Sequence, residues 1–344
     1  MRLELLDYKY PEDLVAQRPL SNRSDSRMLV AERAGSAMEH SRVNMLPRHL
    51  RRGDLLVLND SRVAAARLFG RRSCGEQIEL LVVEPVDGSS GLWRCLLKRA
   101  RKLRCGERLI FGMQSFAVVS GREGIYLLVL FEGNSLKLAM ENHGVPPLPP
   151  YIKREGFSAY TFEDRERYQT VYARHSGSAA APTAGLHFSN ELLEELKAAG
   201  IEIACVTLHV GIDTFRPMRC EQASEHRMHG ERVSISKEAA LAINRARGES
   251  RRIVAVGTTA ARALESSIED NETRSGDWVT ELFILPGYRF RAIDALLTNF
   301  HQPRSTLLAM VCAFAGREFL LSCYQEAIRE RYRLFSYGDC MFIK

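Results

Sequence analysis

The stretch Arg252-Ile-Val-Ala-Val-Gly-Thr-Thr-Ala-Ala-Arg262 decides the fold class. Arg252–Val256 reads as a strand, Gly257-Thr258-Thr259 turns the chain, and a helix opens from Ala260. The same alternation extends on both sides. Upstream, Ser189 or Asn190 can cap a helix with Leu192, Leu193, Leu196 and Ala199 on one face, stopped by Gly200. An apolar strand follows at Ile201–Val210, then a helix from the cap Ser236 to the stop Gly248. Downstream lie strands near Trp278–Leu285 and Ala295–Phe300, then helices at Thr306–Ala315 and Arg317–Arg333. Strands alternating with helices predict an α/β protein with a mostly parallel sheet or barrel-like core flanked by helices. The early strand Leu55-Leu-Val-Leu58 joins the same core.

Between Ala64 and Val145 the texture changes. Short β-segments at Gln77–Glu84, Gly91–Leu97, Glu107–Phe111, Ser115–Val119 and Gly124–Phe131 are separated by glycine-bearing turns. This spacing predicts a small antiparallel barrel or sandwich, taken as an inserted β-barrel over 64–145, within a core formed by 1–63 and 146–344. The run Pro146-Pro-Leu-Pro-Pro150 closes the insertion as an extended connector.

Composition excludes several classes. The chain has 344 residues, 45% hydrophobic and 26% charged, which does not describe a disordered or collagen-like protein. Its longest apolar run, Leu307–Ala315, is far short of a membrane span, and Met1–Asp7 has no signal-peptide core, so a cytoplasmic location is expected. Eight scattered cysteines include no C-x-x-C pair, which excludes zinc ribbons and fingers and predicts free thiols. No G-x-G occurs, and Gly70 and Gly75 at P-loop spacing are followed by Glu76 rather than lysine. Dinucleotide and P-loop sites are therefore absent.

Parallel sheets bind ligands beyond the carboxyl ends of their strands. Those ends carry Asn59, Asp60, Ser61 and Arg62; His209, Gly211 and Asp213; Gly257, Thr258 and Thr259; and Asn299 with His301. On one rim they would line a polar pocket. Gly257-Thr258-Thr259 suits a carboxylate or phosphate at a helix N-terminus, or equally a simple helix cap. His209 ends an apolar strand before a glycine, and His187 follows a Pro-and-Gly loop. His226 and His229, at i, i+3 beside Glu225 and Glu231, form too small a set to define a metal site, and none is expected. Lys98-Arg-Ala-Arg-Lys-Leu-Arg104 packs five cations into seven residues, and the insertion carries a net +4, a pattern suited to a nucleic-acid backbone.

Seven blocks then make the chain recognisable: Leu58-Asn-Asp-Ser-Arg-Val-Ala-Ala-Ala-Arg-Leu-Phe-Gly70, Ala180-Ala-Pro-Thr-Ala-Gly-Leu-His-Phe188, Thr207-Leu-His-Val-Gly-Ile-Asp-Thr-Phe-Arg-Pro217, Met228-His-Gly-Glu231, Val256-Gly-Thr-Thr-Ala-Ala-Arg-Ala-Leu-Glu-Ser266, Leu297-Thr-Asn-Phe-His-Gln-Pro-Arg-Ser-Thr-Leu307 and Ser336-Tyr-Gly-Asp-Cys-Met341. In order and together they resemble the S-adenosylmethionine:tRNA ribosyltransferase-isomerase family of queuosine biosynthesis. Asp213 stands where relatives commonly have glycine, so it inherits no family role.

The resemblance implies a transferase. It moves the ribosyl part of S-adenosylmethionine onto 7-aminomethyl-7-deazaguanine at the tRNA wobble position and rearranges it to epoxyqueuosine, releasing adenine and methionine. It implies no cofactor beyond that donor, no membrane and no obligate protein partner, and a monomer is expected. The implied chemistry needs a base for the ribose 5′ carbon, for which His209 or His187 is expected, with His229 and Glu231 in support. Asn59, Asp60, Arg62, Thr183, Gly211, Gly257, Thr258, Thr259, Asn299, His301 and Arg304 are expected to hold donor or tRNA base. Lys98, Arg99, Arg101, Lys102 and Arg104 are expected on the tRNA backbone.

Overall fold

The computed structural model describes residues 1–86, 88–98, 103–154, 159–160, 162–211 and 217–344. Arg99, Arg101, Lys102 and Asp213 lie outside the described residues. By compactness the chain divides into two units, one of Met1–Arg62, Pro149–Lys153 and Gln169–Lys344, the other of Val63–Leu148 and Arg154–Tyr168.

The first unit is built on a nine-stranded sheet. At its centre Glu202–Leu208, Leu55–Asn59, Ile253–Val256 and Ala295–Asn299 run parallel in that spatial order. Leu55-Leu-Val-Leu-Asn59 is buried along its whole length. Leu55 and Val57 face a core with Ala260, Leu264 and Leu308, while Leu56 and Leu58 face another with Leu192, Leu196 and Phe188. A strand covered on both faces needs the uninterrupted apolar run seen here.

The sheet as a whole is mixed, which corrects the expectation of a mostly parallel one. Cys340–Ile343 lies antiparallel beside Ala295–Asn299 and parallel to Arg27–Glu32, whose hairpin partner Ala37–Arg42 closes that edge. At the other edge Glu231–Ile235 and Gly276–Thr280 are both added antiparallel. An antiparallel neighbour needs no crossover of fixed hand, so these strands can be added at either edge after connections of any length, such as the two helices between Asn299 and Cys340.

Helix ends follow local chemistry. Ser189, Ser236 and Ser305 each accept a hydrogen bond from the backbone N–H three residues on, at 3.2, 3.1 and 3.1 Å. The helix after Ile253–Val256 starts at Thr258, two residues earlier than expected, with Gly257 at φ 90° in the capping position and no side-chain cap. Among the described residues no single helix is long and apolar enough to cross a membrane.

In the second unit six antiparallel strands close into a barrel: Arg67–Arg72, Gln77–Pro85, Leu92–Lys98, Tyr126–Phe131, Phe116–Glu123 and Arg108–Ile110. Arg71 and Arg72 opposite Ile110 and Leu109 complete the ring. Gly70 sits at this closure, where a Cβ would come within 2.6 Å of the Ile110 carbonyl and the Phe111 ring. Leu68, Leu80, Leu109, Val129 and Phe131 fill the interior.

Candidate active site

Cys205 and Val206 pair in register with Leu58 and Asn59, so two central strands end side by side. Asn59, fully buried, uses its amide to lock them: Nδ2 donates to the Leu208 carbonyl at 3.0 Å, and Oδ1 accepts from Leu208 and Ser61 N–H. Its side chain is thereby spent on the frame. Asp60 Oδ1 accepts from the Thr207 hydroxyl at 2.7 Å, and Oδ2 lies 3.7 Å from Nε2 of the exposed His175. His209 stands at the same strand end, its ring 3.2 Å from where a Gly177 Cβ would be. It is half-buried, and its buried Nδ1 finds no partner among the described residues. Burial, with Arg232 and His175 nearby, lowers its pKa, so it stays neutral and able to accept a proton at neutral pH.

Two hollows adjoin at Leu307, which lines both. One, open to solvent, has Thr258, Thr259, Arg262 and Glu231 as polar lining, with Met228 and Phe283 among its apolar walls. Here the N-terminus of the Thr258–Glu265 helix offers N–H groups, and Thr259 Oγ1 is buried without a partner among the described residues. Glu231 Oε2 accepts from Arg262 Nη1 at 2.6 Å and Oε1 from Gly211 N–H at 2.9 Å. The other hollow, also open to solvent, is lined by Thr183, Asn299, His301, Ser305, Tyr151 and Ser336, among others. Asn299 Nδ2 lies 3.1 Å from His187 Nε2, and Thr298 Oγ1 2.8 Å from His301 Nε2.

Both of these histidines are buried, and desolvation lowers them, to about 4 for His187 and about 3 for His301; Arg23 and Arg333 add to the effect at His187. The unfolded chain takes up these protons near 6.5, the folded protein only well below. Stability is therefore fully present above pH 6.5 and falls as pH drops through the window down to about 4 and then about 3. Each ring contributes up to about 1.4 kcal/mol per pH unit inside its window. Urea midpoints at pH 7 and pH 5 test this: the midpoint falls in acid, and a His187→Gln variant shows a shallower fall.

Three other expected residues, Arg304, Arg62 and His229, line neither hollow, although Arg262 Nη2 reaches the His229 carbonyl at 3.5 Å. Arg304, at φ 55°, donates through Nε to Asp7 at 2.9 Å in a half-exposed ion pair. Arg62 is exposed and, among the described residues, reaches the Ala173 carbonyl at 3.4 Å. His229 is exposed, and the segment from His226 to it is not helical. No cluster of three or more potential metal ligands occurs among the described residues. In the barrel unit Lys98 is 66% exposed and 3.7 Å from Glu79, and Arg104 is exposed. Sequence reasoning missed Arg262, Tyr151 and Ser336 as lining residues. Arg262 and Ser336 stand inside recognised blocks, whereas nothing local marks Tyr151, whose hydroxyl meets Ser336 Oγ at 2.7 Å.

A family model described as "Queuosine biosynthesis protein" matches residues 3–343. The chain is 48% identical over 344 residues to an S-adenosylmethionine:tRNA ribosyltransferase-isomerase of Citrifermentans bemidjiense, covering 100% of both chains. A protein of the same name from Syntrophotalea carbinolica is 46% identical over 346 residues, again with 100% of both covered. Among solved structures, the S-adenosylmethionine tRNA ribosyltransferase of Thermotoga maritima is 35% identical over 99% of this chain and 100% of its own, with a TM-score of 0.56. A relationship that runs unbroken from end to end leaves one conclusion: the chain belongs to the queuosine biosynthesis protein family.

Proposed function

We propose that this protein transfers the ribosyl group of S-adenosylmethionine to 7-aminomethyl-7-deazaguanine at the tRNA wobble position and isomerises it to epoxyqueuosine. The carrying observation is 48% identity over the full length of a relative bearing that activity in its name. The sulfonium acidifies the adjacent ribose 5′ carbon, and a base removes that proton. Adenine is expelled, the exocyclic amine of the modified base attacks, and epoxide closure releases methionine with its sulfur lone pair restored. One proton is released overall.

His209 suits the base: it is neutral, and its ring is only half-buried at the strand end. His187 is fully enclosed and suits a positioning role instead. The hollow at the Thr258–Glu265 helix suits the methionine end, with carboxylate on the helix N–H groups and the sulfonium near Phe283. The course requires neither metal nor second cofactor, and the protein acts as a cytoplasmic monomer. The test is product analysis: adenine and methionine appear in equal amounts, and only with tRNA carrying the aminomethyl base. Appearance of S-adenosylhomocysteine instead would make the protein a methyltransferase.

Three barrel arginines pair internally: Arg67 with Glu79, Arg72 with Glu107, and Arg94 with Glu123. Lys98 and Arg104 remain exposed and suit tRNA phosphates, as do Arg99, Arg101 and Lys102 by sequence. The paired change Lys98→Glu with Arg104→Glu is expected to weaken tRNA binding and to lower its salt slope by about 0.7 for each phosphate no longer neutralised. Titrations at several salt concentrations read this, and an unchanged slope removes the two residues from the interface.

A further inference from the structure

We propose that the hollow beside Asn299 reads the exocyclic amino group of adenine in the donor substrate, with Asn299 Oδ1 as acceptor and His187 as the positioning residue that fixes the amide. The assignment rests on the reaction proposed above. Asn299 is 99% buried, and its Nδ2 faces three acceptors: His187 Nε2 at 3.1 Å, the Phe335 carbonyl at 3.1 Å and the Asp339 carbonyl at 3.4 Å. That environment admits only the NH2 end, so the orientation of the amide is set by its surroundings. Oδ1 is left buried with no partner among the described residues. An orphaned acceptor in a protein interior is costly, and a ligand N–H is what relieves it. His187 can hold the amide only as an acceptor, which demands its neutral form. Full burial provides that.

The lining of the hollow has the chemistry that suits an uncharged planar ring. No carboxylate, ammonium or guanidinium lines it among the described residues. Tyr151 and Phe335, with ring centroids 4.9 Å apart, and Phe300 contribute aromatic wall. The deazaguanine of tRNA also carries N–H donors. Adenine is favoured because this hollow shares a wall residue, Leu307, with the one suited to methionine, and the two groups are opposite ends of one donor.

The experiment compares S-adenosylmethionine with its analogue bearing hydrogen in place of the 6-amino group, on the wild-type protein, Asn299→Ala and His187→Gln. The wild type is expected to lose roughly 10- to 100-fold in kcat/KM with the analogue. Asn299→Ala loses a similar factor with the natural donor and nothing further with the analogue, while His187→Gln, which still offers an acceptor, keeps part of the discrimination. Wild-type indifference to the 6-amino group overturns the assignment whether or not the variants fold. So does equal discrimination in wild type and Asn299→Ala. A discrimination that moves instead to tRNA lacking the 2-amino group of the modified base gives the hollow to tRNA and overturns it too. A parallel arm measures binding of free adenine and free purine by equilibrium dialysis, where wild type prefers adenine and Asn299→Ala does not. Absence of all turnover with intact adenine preference refutes the proposed reaction, whereas turnover without the preference refutes the pocket assignment.

Discussion

His209→Ala is expected to lower kcat by roughly 10²- to 10⁴-fold, the range for loss of a positioned general base. The ring is half-buried at the end of a strand locked by Asn59, so its removal leaves the frame intact. KM for both substrates changes little, because the base acts on the transition state. The acid limb of the wild-type kcat/KM profile lies below the ordinary histidine value, since burial and the nearby Arg232 and His175 lower this pKa. In the variant that limb disappears. Stopped-time assays of adenine release across pH 5 to 8, with circular dichroism as a folding control, read both effects. A variant turning over within threefold of wild type shows that another group takes the proton.

Arg262→Ala carries the largest expected loss of stability. Arg262 and Glu231 are each at least nine-tenths buried and 2.6 Å apart, and Arg262 Nη2 also donates to the Thr280 carbonyl at 3.2 Å. Removing the guanidinium strands a carboxylate in the interior at a cost of about 3–5 kcal/mol. The urea midpoint should fall by that cost divided by m, with m itself unchanged. Arg262→Met combined with Glu231→Gln recovers most of it, because both charges leave together. Turnover falls as well, since Glu231 Oε1 holds the N–H of Gly211, two residues beyond His209. If Glu231 were instead a proton carrier, Glu231→Gln alone would abolish turnover without a matching loss of stability. A cost below about 1 kcal/mol for Arg262→Ala contradicts a buried, coupled pair.

The parts of the molecule legible in the sequence are those set by neighbours in the chain. Ser189 and Ser236 announce their helices because a cap acts over three residues. Gly257 announces the strand-to-helix turn because it lies at φ 90°. Evenly spaced β-segments announce a small antiparallel barrel or sandwich, but not its closure, because Arg67–Arg72, the strand that completes the ring, lies in a run dense with arginine. What stayed hidden depends on distant partners. Cys340-Met-Phe-Ile343 is a four-residue apolar run that periodicity cannot assign, and its pairing with Met28 joins the two ends of the chain. This missed strand, with Arg27–Glu32 and Glu231–Ile235, is why the sheet is mixed.

At the site the same division holds. Asn59, Asp60, His209, Thr258 and Asn299 could all be picked out as polar residues at apolar strand ends. Their division of labour could not, because it is decided by contacts across the fold. Asn59 is consumed by Leu208, 149 residues on, whereas Asn299 meets His187 from 112 residues away and keeps its oxygen unpaired among the described residues. Arg304 looked like a substrate ligand until Asp7, from the chain's beginning, took its guanidinium.

The decisive test of ribosyl transfer follows the sugar itself. The protein is incubated with S-adenosylmethionine labelled with ¹³C throughout the ribose and with tRNA bearing 7-aminomethyl-7-deazaguanine, and the tRNA is digested and its nucleosides weighed. The expected product is a modified nucleoside carrying all the ribose label, with unlabelled adenine and methionine in solution. Label confined to a small molecule, with the precursor nucleoside unchanged in mass, would contradict the transfer.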